Sequence, residues 1–114
     1  MKINRLNPIP PGAGSSYAER LIASAESENV VDFMYGDKYR VVEVHAVGLS
    51  TAGKLVMRGY QIAGAASRPL PQWTLFEIGK MDLLEERPQV SQAPREGYVE
   101  GDKQMTPVIA EIAL

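Results

Sequence analysis

The chain has 114 residues, 45% of them apolar, with 12 Lys or Arg against 14 Asp or Glu and a formal net charge of −2; that length supports one domain burying roughly 65% of its unfolded surface. The absence of cysteine excludes a disulfide framework, a thiolate nucleophile and a thiolate zinc site, and the acidic balance argues against gross nucleic-acid binding by the whole molecule. No apolar run approaches the roughly 18 residues of a membrane span and the N-terminus lacks the apolar centre of a signal peptide, so the expected location is the cytoplasm.

Residues 1–14 carry Pro8, Pro10, Pro11, Gly12 and Gly14, which hold the backbone out of regular structure and predict a flexible arm. Ser16 and Glu19 have the spacing of a capping box, and Tyr17, Leu21, Ile22 and Ala25 then share one face, predicting an amphipathic helix over 17–28. From Val30 the apolar period changes to alternation, with Val31, Phe33 and Tyr35 on one face of a first strand over 30–35. Gly36-Asp37 then fits a two-residue II′ hairpin turn, in which Gly supplies the positive φ of the first central position.

Further strands are expected over 39–47, 55–62 and 73–78, with Ser50-Thr51-Ala52-Gly53 closing the second hairpin. The 63–72 connection, containing Gly64, Pro69 and Pro71, is too long for a tight turn and is of a length that often carries function. Gly79-Lys80 reads as a bulge before a fifth strand over 81–85. The rest, 87–105, is rich in Pro, Gly and charge and predicts a surface-running tail. It ends in an apolar segment, 108–114, that adds a last strand either to its own barrel or to a neighbouring subunit's. Short strands at this spacing favour a closed small barrel over a sandwich, in a mainly β, α+β chain. The expected division is an arm over 1–14, a five-stranded barrel with its leading helix over 15–86, and an extended tail over 87–114.

Charge is unevenly distributed. Residues 38–80 carry six Lys or Arg against two Glu, a local +4 that leaves −6 elsewhere, so any anion site must be local to the sheet. Arg58 and Tyr60 share a strand face, where a guanidinium can grip a phosphate while a ring stacks on a base. The alternative is that Tyr60 fills the barrel and Arg58 pairs with Glu43 or Glu77. Arg68, beside Pro69-Leu70-Pro71, belongs either to a mobile lid or to an ordinary solvated loop. Trp73 is either a stacking platform or the anchor of that loop. His45, the single histidine, reads as structural or as a ligand hydrogen-bonder, because no cysteine, nucleophile motif or metal-ligand cluster accompanies it. Glu85 and Glu86 are adjacent on a strand and point to opposite faces, so they form no carboxylate pair. Gly12-Ala13-Gly14-Ser15-Ser16 precedes a helix, but no strand comes before it and no Gly-Lys-Ser/Thr follows, so it is not a P-loop.

Several runs carry a family resemblance: Val30-Val31-Asp32-Phe33-Met34-Tyr35, Arg40-Val41-Val42-Glu43-Val44-His45, Leu55-Val56-Met57-Arg58-Gly59-Tyr60-Gln61, and Trp73-Thr74-Leu75-Phe76-Glu77-Ile78-Gly79-Lys80-Met81. Together they resemble the WYL domain, a small Sm-like (SH3-like) β-barrel of bacteria and phages. Pro94-Arg95-Glu96-Gly97-Tyr98 and Asp102-Lys103-Gln104-Met105 look like the tail of short stand-alone members. Leu55-Val56-Met57 stands where the family has Trp-Tyr-Leu, and Glu77 where it often has an arginine. The resemblance implies regulatory binding of a ligand or nucleic acid without catalysis.

The expectation is therefore a non-enzymatic module that needs no metal or cofactor. Its ligand would be a nucleotide, a cyclic or short oligonucleotide, or single-stranded nucleic acid. Arg40, Arg58, Tyr60, Arg68 and Lys80 are the candidate contacts, converging on one pocket mouth, with His45 and Trp73 as secondary ones. The rival is an assembly role, in which the barrel edge and the last strand build a homo-oligomer or dock on a protein partner.

Overall fold

Tyr35 and Lys38 face each other across Gly36-Asp37 in the computed structural model, which describes residues 2–114. Gly36 has a φ of 65° while Asp37 stays out of the left-handed region, the combination a II′ turn requires. This turn joins β2 (Asn29–Tyr35) to β3 (Lys38–Leu49), and a second hairpin, closed by Ser50 N–H to Lys54 O at 2.8 Å, joins β3 to β4 (Leu55–Gly64). Next come β5 (Gln72–Glu77), a 3-10 turn (Ile78–Lys80) in place of the expected bulge, and β6 (Met81–Val90), longer at its far end than expected. Two more strands flank the set, β1 (Ile3–Arg5) and β7 (Val108–Ile112), and the α-helix α1 (Ser15–Glu26) completes a small, mainly β, α+β protein.

All strand pairs are antiparallel, and β3 organises them. One edge of β3 pairs with β4 along most of its length; the other pairs first with β2 and then, from Ala46 to Gly48, with β7. Having partners on both edges and cover on both faces, β3 buries eight consecutive residues, 41–48. Beyond it the sheet continues through β2 to β6, through β4 to β5, and through β7 to β1. The five strands expected in the barrel are thus present within a seven-stranded sheet. That sheet is open: β5 pairs only with β4 and β6 only with β2.

The inner face carries the main core. Ala18, Leu21, Ile22 and Ala25 project from α1 at helical spacing and pack with Val42, Val44 and Met57 of the sheet. Burying Leu21 and Ile22 to 0% and 2% exposure contributes roughly 2 kcal/mol each. Phe33, Tyr35 and Phe76 meet edge to face at 5.1 to 6.3 Å between centroids.

Three expectations from the sequence are corrected. The helix begins at Ser15 without a side-chain cap: Gly14, at φ 87°, is the cap residue. Glu19 is drawn off by Arg5, which also binds Glu26, at 3.0 and 2.9 Å. The arm is not wholly irregular, since Ile3 pairs with Ile112 and Asn7 Nδ2 donates to Val108 O at 2.7 Å. The tail does not merely run over the surface. Ser91, Ala93 and Met105 are buried, and Met105 joins Ala46, Val56, Leu75 and Val108 in a second apolar cluster on the outer face. The last strand pairs within its own chain, so arm, barrel region and tail share one sheet. No helix among the described residues is long and apolar enough to cross a membrane.

Candidate functional site

A β-bulge builds the site's floor. Strand alternation would send Glu43 and His45 to one face and Ala46 to the other, but the β3–β4 register slips between Val44 and Ala46. The extra residue leaves Glu43, opposite Tyr60, and Ala46, opposite Arg58, both on the outer face, with His45 between them. From β5, Trp73 reaches the same face opposite Tyr60. The His45 and Tyr60 rings lie 4.6 and 5.0 Å from the Trp73 ring, centroid to centroid.

The tail crosses this floor and is clasped twice. Glu43, with its side chain 1% exposed, accepts from Arg95 Nε at 2.7 Å and from the Gln92 backbone N–H at 2.7 Å. The Arg95 guanidinium sits 5.1 Å above the Tyr60 ring. In the second clasp Arg58 Nε donates to Asp102 Oδ2 at 2.7 Å, and Arg58 also donates to the Gln104 side-chain carbonyl. Between the clasps Trp73 Nε1 donates to Glu96 O at 3.3 Å, and the Tyr98 ring stacks beside Trp73 at 6.4 Å.

His45 is fully committed. Its Nε2 accepts the Arg95 backbone N–H at 3.0 Å, which assigns the proton to Nδ1, and Nδ1 donates to Glu43 O at 3.0 Å. Desolvation pushes its pKa down to about 4, against the raising effect of Glu43, so the ring is neutral at pH 7. Burial likewise raises the Tyr98 phenol, helped by the Glu111 and Glu100 charges, and its hydroxyl donates to Ile112 O at 2.8 Å. Burial alone would raise the Asp102 carboxyl; the Arg58 and Gln104 hydrogen bonds outweigh it and hold the group below the ordinary aspartate range.

A cleft of about 420 Å³ lies between the tail and the sheet, lined by Trp73 and Tyr98 and by the charged Arg58, Glu100, Asp102 and Lys103. Pockets of this size hold small ligands. Two cations face two carboxylates, so the cleft is electrically balanced.

The seven sequence-derived residues divide accordingly. Arg58, Tyr60, Trp73 and His45 come together on the outer face, whereas the other three candidate cations do not join them in a common mouth. Arg40 lies toward the inner face, its guanidinium 5.7 and 5.8 Å from the Tyr35 and Phe76 rings and its Nη1 3.0 Å from Gln61 Oε1. Arg68 donates to Trp73 O at 3.2 Å, bracing its loop against the start of β5. Lys80 extends from the 3-10 turn, 65% exposed and 4.0 Å from Glu77. Tyr60 lies on the outer face rather than filling the core, and Arg58 takes Asp102 rather than Glu43 or Glu77 as its partner. Gly12 and Ala13 border a separate cleft of about 340 Å³, where Lys54 is balanced by Glu77.

Sequence reasoning missed Glu43, Arg95, Tyr98, Asp102 and Lys103 as site residues. One signal was present: opposite the apolar Val42, Val44 and Ala46, the other face of the 41–47 run sets Glu43 and His45 between Val41 and Val47, so both faces carry apolar residues that need cover. Among the described residues no group of three or more His, Asp or Glu is placed to hold a metal ion. No protein-family model, curated protein or solved structure matches the chain.

Proposed function

We propose that the chain is a non-enzymatic binding module of the WYL-like kind, whose ligand is a nucleotide or a short oligonucleotide held in the cleft beneath the tail. The planar base lies against Trp73 and Tyr98, and the phosphate takes Arg58. The observation that carries this reading is that Arg58, Trp73 and Tyr98, brought from two strands and the tail, line one cleft of about 420 Å³. The balanced charge favours one or two nucleotides over a long single strand, which needs a continuous basic track. A small Sm-like barrel belongs to the same proposal, supported by β6 returning to pair with β2 after the 3-10 turn.

Equilibrium dialysis and thermal shift against cyclic and linear nucleotides test the reading. Binding should be lost at least tenfold in Arg58→Gln, with the fold retained. If no nucleotide binds at millimolar concentration, the reading is wrong.

The edge strand β6 favours a second reading, homo-oligomeric assembly. It is paired on one side only and exposes Leu83 and Val90 at 72% and 68%. Light scattering on the wild type and on Val90→Lys tests it: a dimer reduced to a monomer by the lysine supports assembly, and a wild-type monomer refutes it.

A further inference from the structure

Arg58 already holds an anion. Asp102 presents both carboxylate oxygens to it, Oδ2 to Nε at 2.7 Å and Oδ1 to Nη2 at 3.4 Å, the fork-to-carboxylate arrangement that a phosphate also adopts. The two side chains are only 20% and 12% exposed, so the pair is largely shielded from water. Apart from the Arg58 contacts with Asp102 and Gln104, the tail segment that brings Asp102 here is held to the sheet by Gly101 N–H donating to Glu111 Oε1 at 2.8 Å and by Leu114 N–H donating to Glu100 at 3.3 Å. Its turn is closed by Gln104 N–H to Asp102 Oδ1 at 2.9 Å and Met105 N–H to Asp102 O at 3.0 Å, and Val99 just before it is 68% exposed. Gly97 and Gly101 bracket the segment at φ 91° and 70°. Upstream, by contrast, Arg95 and Gln92 are fastened to a carboxylate that is 1% exposed.

We infer that Asp102 is an internal occupant of the ligand's anion position, and that an anionic ligand enters by displacing it from Arg58 and lifting the tail over residues 99–104. The inference rests on reading the cleft as the nucleotide site and adds a selectivity rule to it. Removing Asp102 without replacement strands a shielded guanidinium, whereas exchange for phosphate keeps the cation paired and returns a carboxylate to water. A phosphorylated ligand therefore opens the tail and a neutral nucleoside does not. Apparent affinity is reduced by the fraction of molecules in which Asp102 holds the arginine.

The test uses the full chain with AMP, adenosine and inorganic pyrophosphate, each matched in ionic strength with sodium chloride. Asp102→Asn should bind AMP and pyrophosphate about tenfold more tightly than wild type, as expected where the occupant holds about nine molecules in ten. In wild type, AMP should accelerate amide exchange at 99–104 and leave 91–96 unchanged, and adenosine should leave both segments unchanged. Circular dichroism and melting establish that Asp102→Asn is folded. If Asp102→Asn binds AMP no more tightly while Arg58→Gln abolishes binding, the displacement is refuted and the cleft reading stands. If AMP and pyrophosphate bind neither wild type nor Asp102→Asn, both fall together.

Discussion

Replacing Arg95 with Met keeps most of the side chain's apolar stem but removes the cation that satisfies Glu43. In the native chain the Glu43 carboxylate, 1% exposed, accepts two hydrogen bonds from Arg95 and one from Gln92 N–H. The variant leaves it with the Gln92 bond alone. A charge-assisted hydrogen bond contributes about 1.5 to 3 kcal/mol, and stranding a buried charge costs 3 to 5, at order-of-magnitude level. The Arg95 side chain is 30% exposed, so water screens part of the interaction and enters part of the gap. The expected loss at pH 7 is therefore about 2 to 3 kcal/mol, or roughly 10 °C in melting temperature for a domain of this size. Urea unfolding followed by circular dichroism and by the fluorescence of the single Trp73 reads the change, since Trp73 lies directly under the tail. The double variant Glu43→Gln with Arg95→Met should recover a substantial part of the loss, giving a coupling energy above about 1 kcal/mol. A loss below about 0.5 kcal/mol, or strict additivity in the cycle, would refute the account of the tail as electrostatically clasped.

Stability should also fall with acid between pH 7 and pH 5, where ordinary carboxylates do not titrate. The His45 pKa is depressed from 6.5 to about 4, so the unfolded state takes up the proton first; the linked loss is about 2 kcal/mol over that interval, and a flat profile, or an unchanged slope in His45→Gln, would contradict the buried neutral ring. Deleting residues 106–114 should abolish the cooperative melt, because β7 lies between β1 and β3 and supplies Ile109 and Ile112 at 2% and 0% exposure; a truncated chain with a native circular dichroism spectrum would show that β7 is dispensable. Arg5→Ala, by contrast, should cost no more than about 1 kcal/mol despite two ion pairs, since all three side chains are more than 40% exposed, and the effect should shrink further in 1 M salt when measured by urea titration.

The elements legible in the sequence are those fixed by local chemistry. Alternation at Val31, Phe33 and Tyr35 marked β2, the Gly36-Asp37 pair set the hairpin register, and the helical spacing of Leu21, Ile22 and Ala25 identified the buried face of α1. What failed was whatever depends on distant partners. Ser16 and Glu19 have capping-box spacing, yet Glu19 binds Arg5 from another element, and no local pattern records that competition. Sequence proximity groups the cations of residues 38–80, but strand parity and the 3-10 turn send Arg40 and Lys80 away from Arg58. The partners of Arg58 and Glu43 lie 44 and 52 residues along the chain, in a segment whose Pro, Gly and charge content looked like solvent-facing tail.

The two clasps run in opposite senses: the sheet offers an anion at Glu43 and a cation at Arg58, and the tail answers with a cation at Arg95 and an anion at Asp102. Laid down backwards, the tail would bring Asp102 toward Glu43 and Arg95 toward Arg58, with like charges meeting at both ends. The pairing thus works as a polarity key that admits the segment in only one direction. Transposing Glu43 with Arg95 alone would leave each clasp neutral yet erase that asymmetry, separating the strength of the fastening from the orientation it encodes.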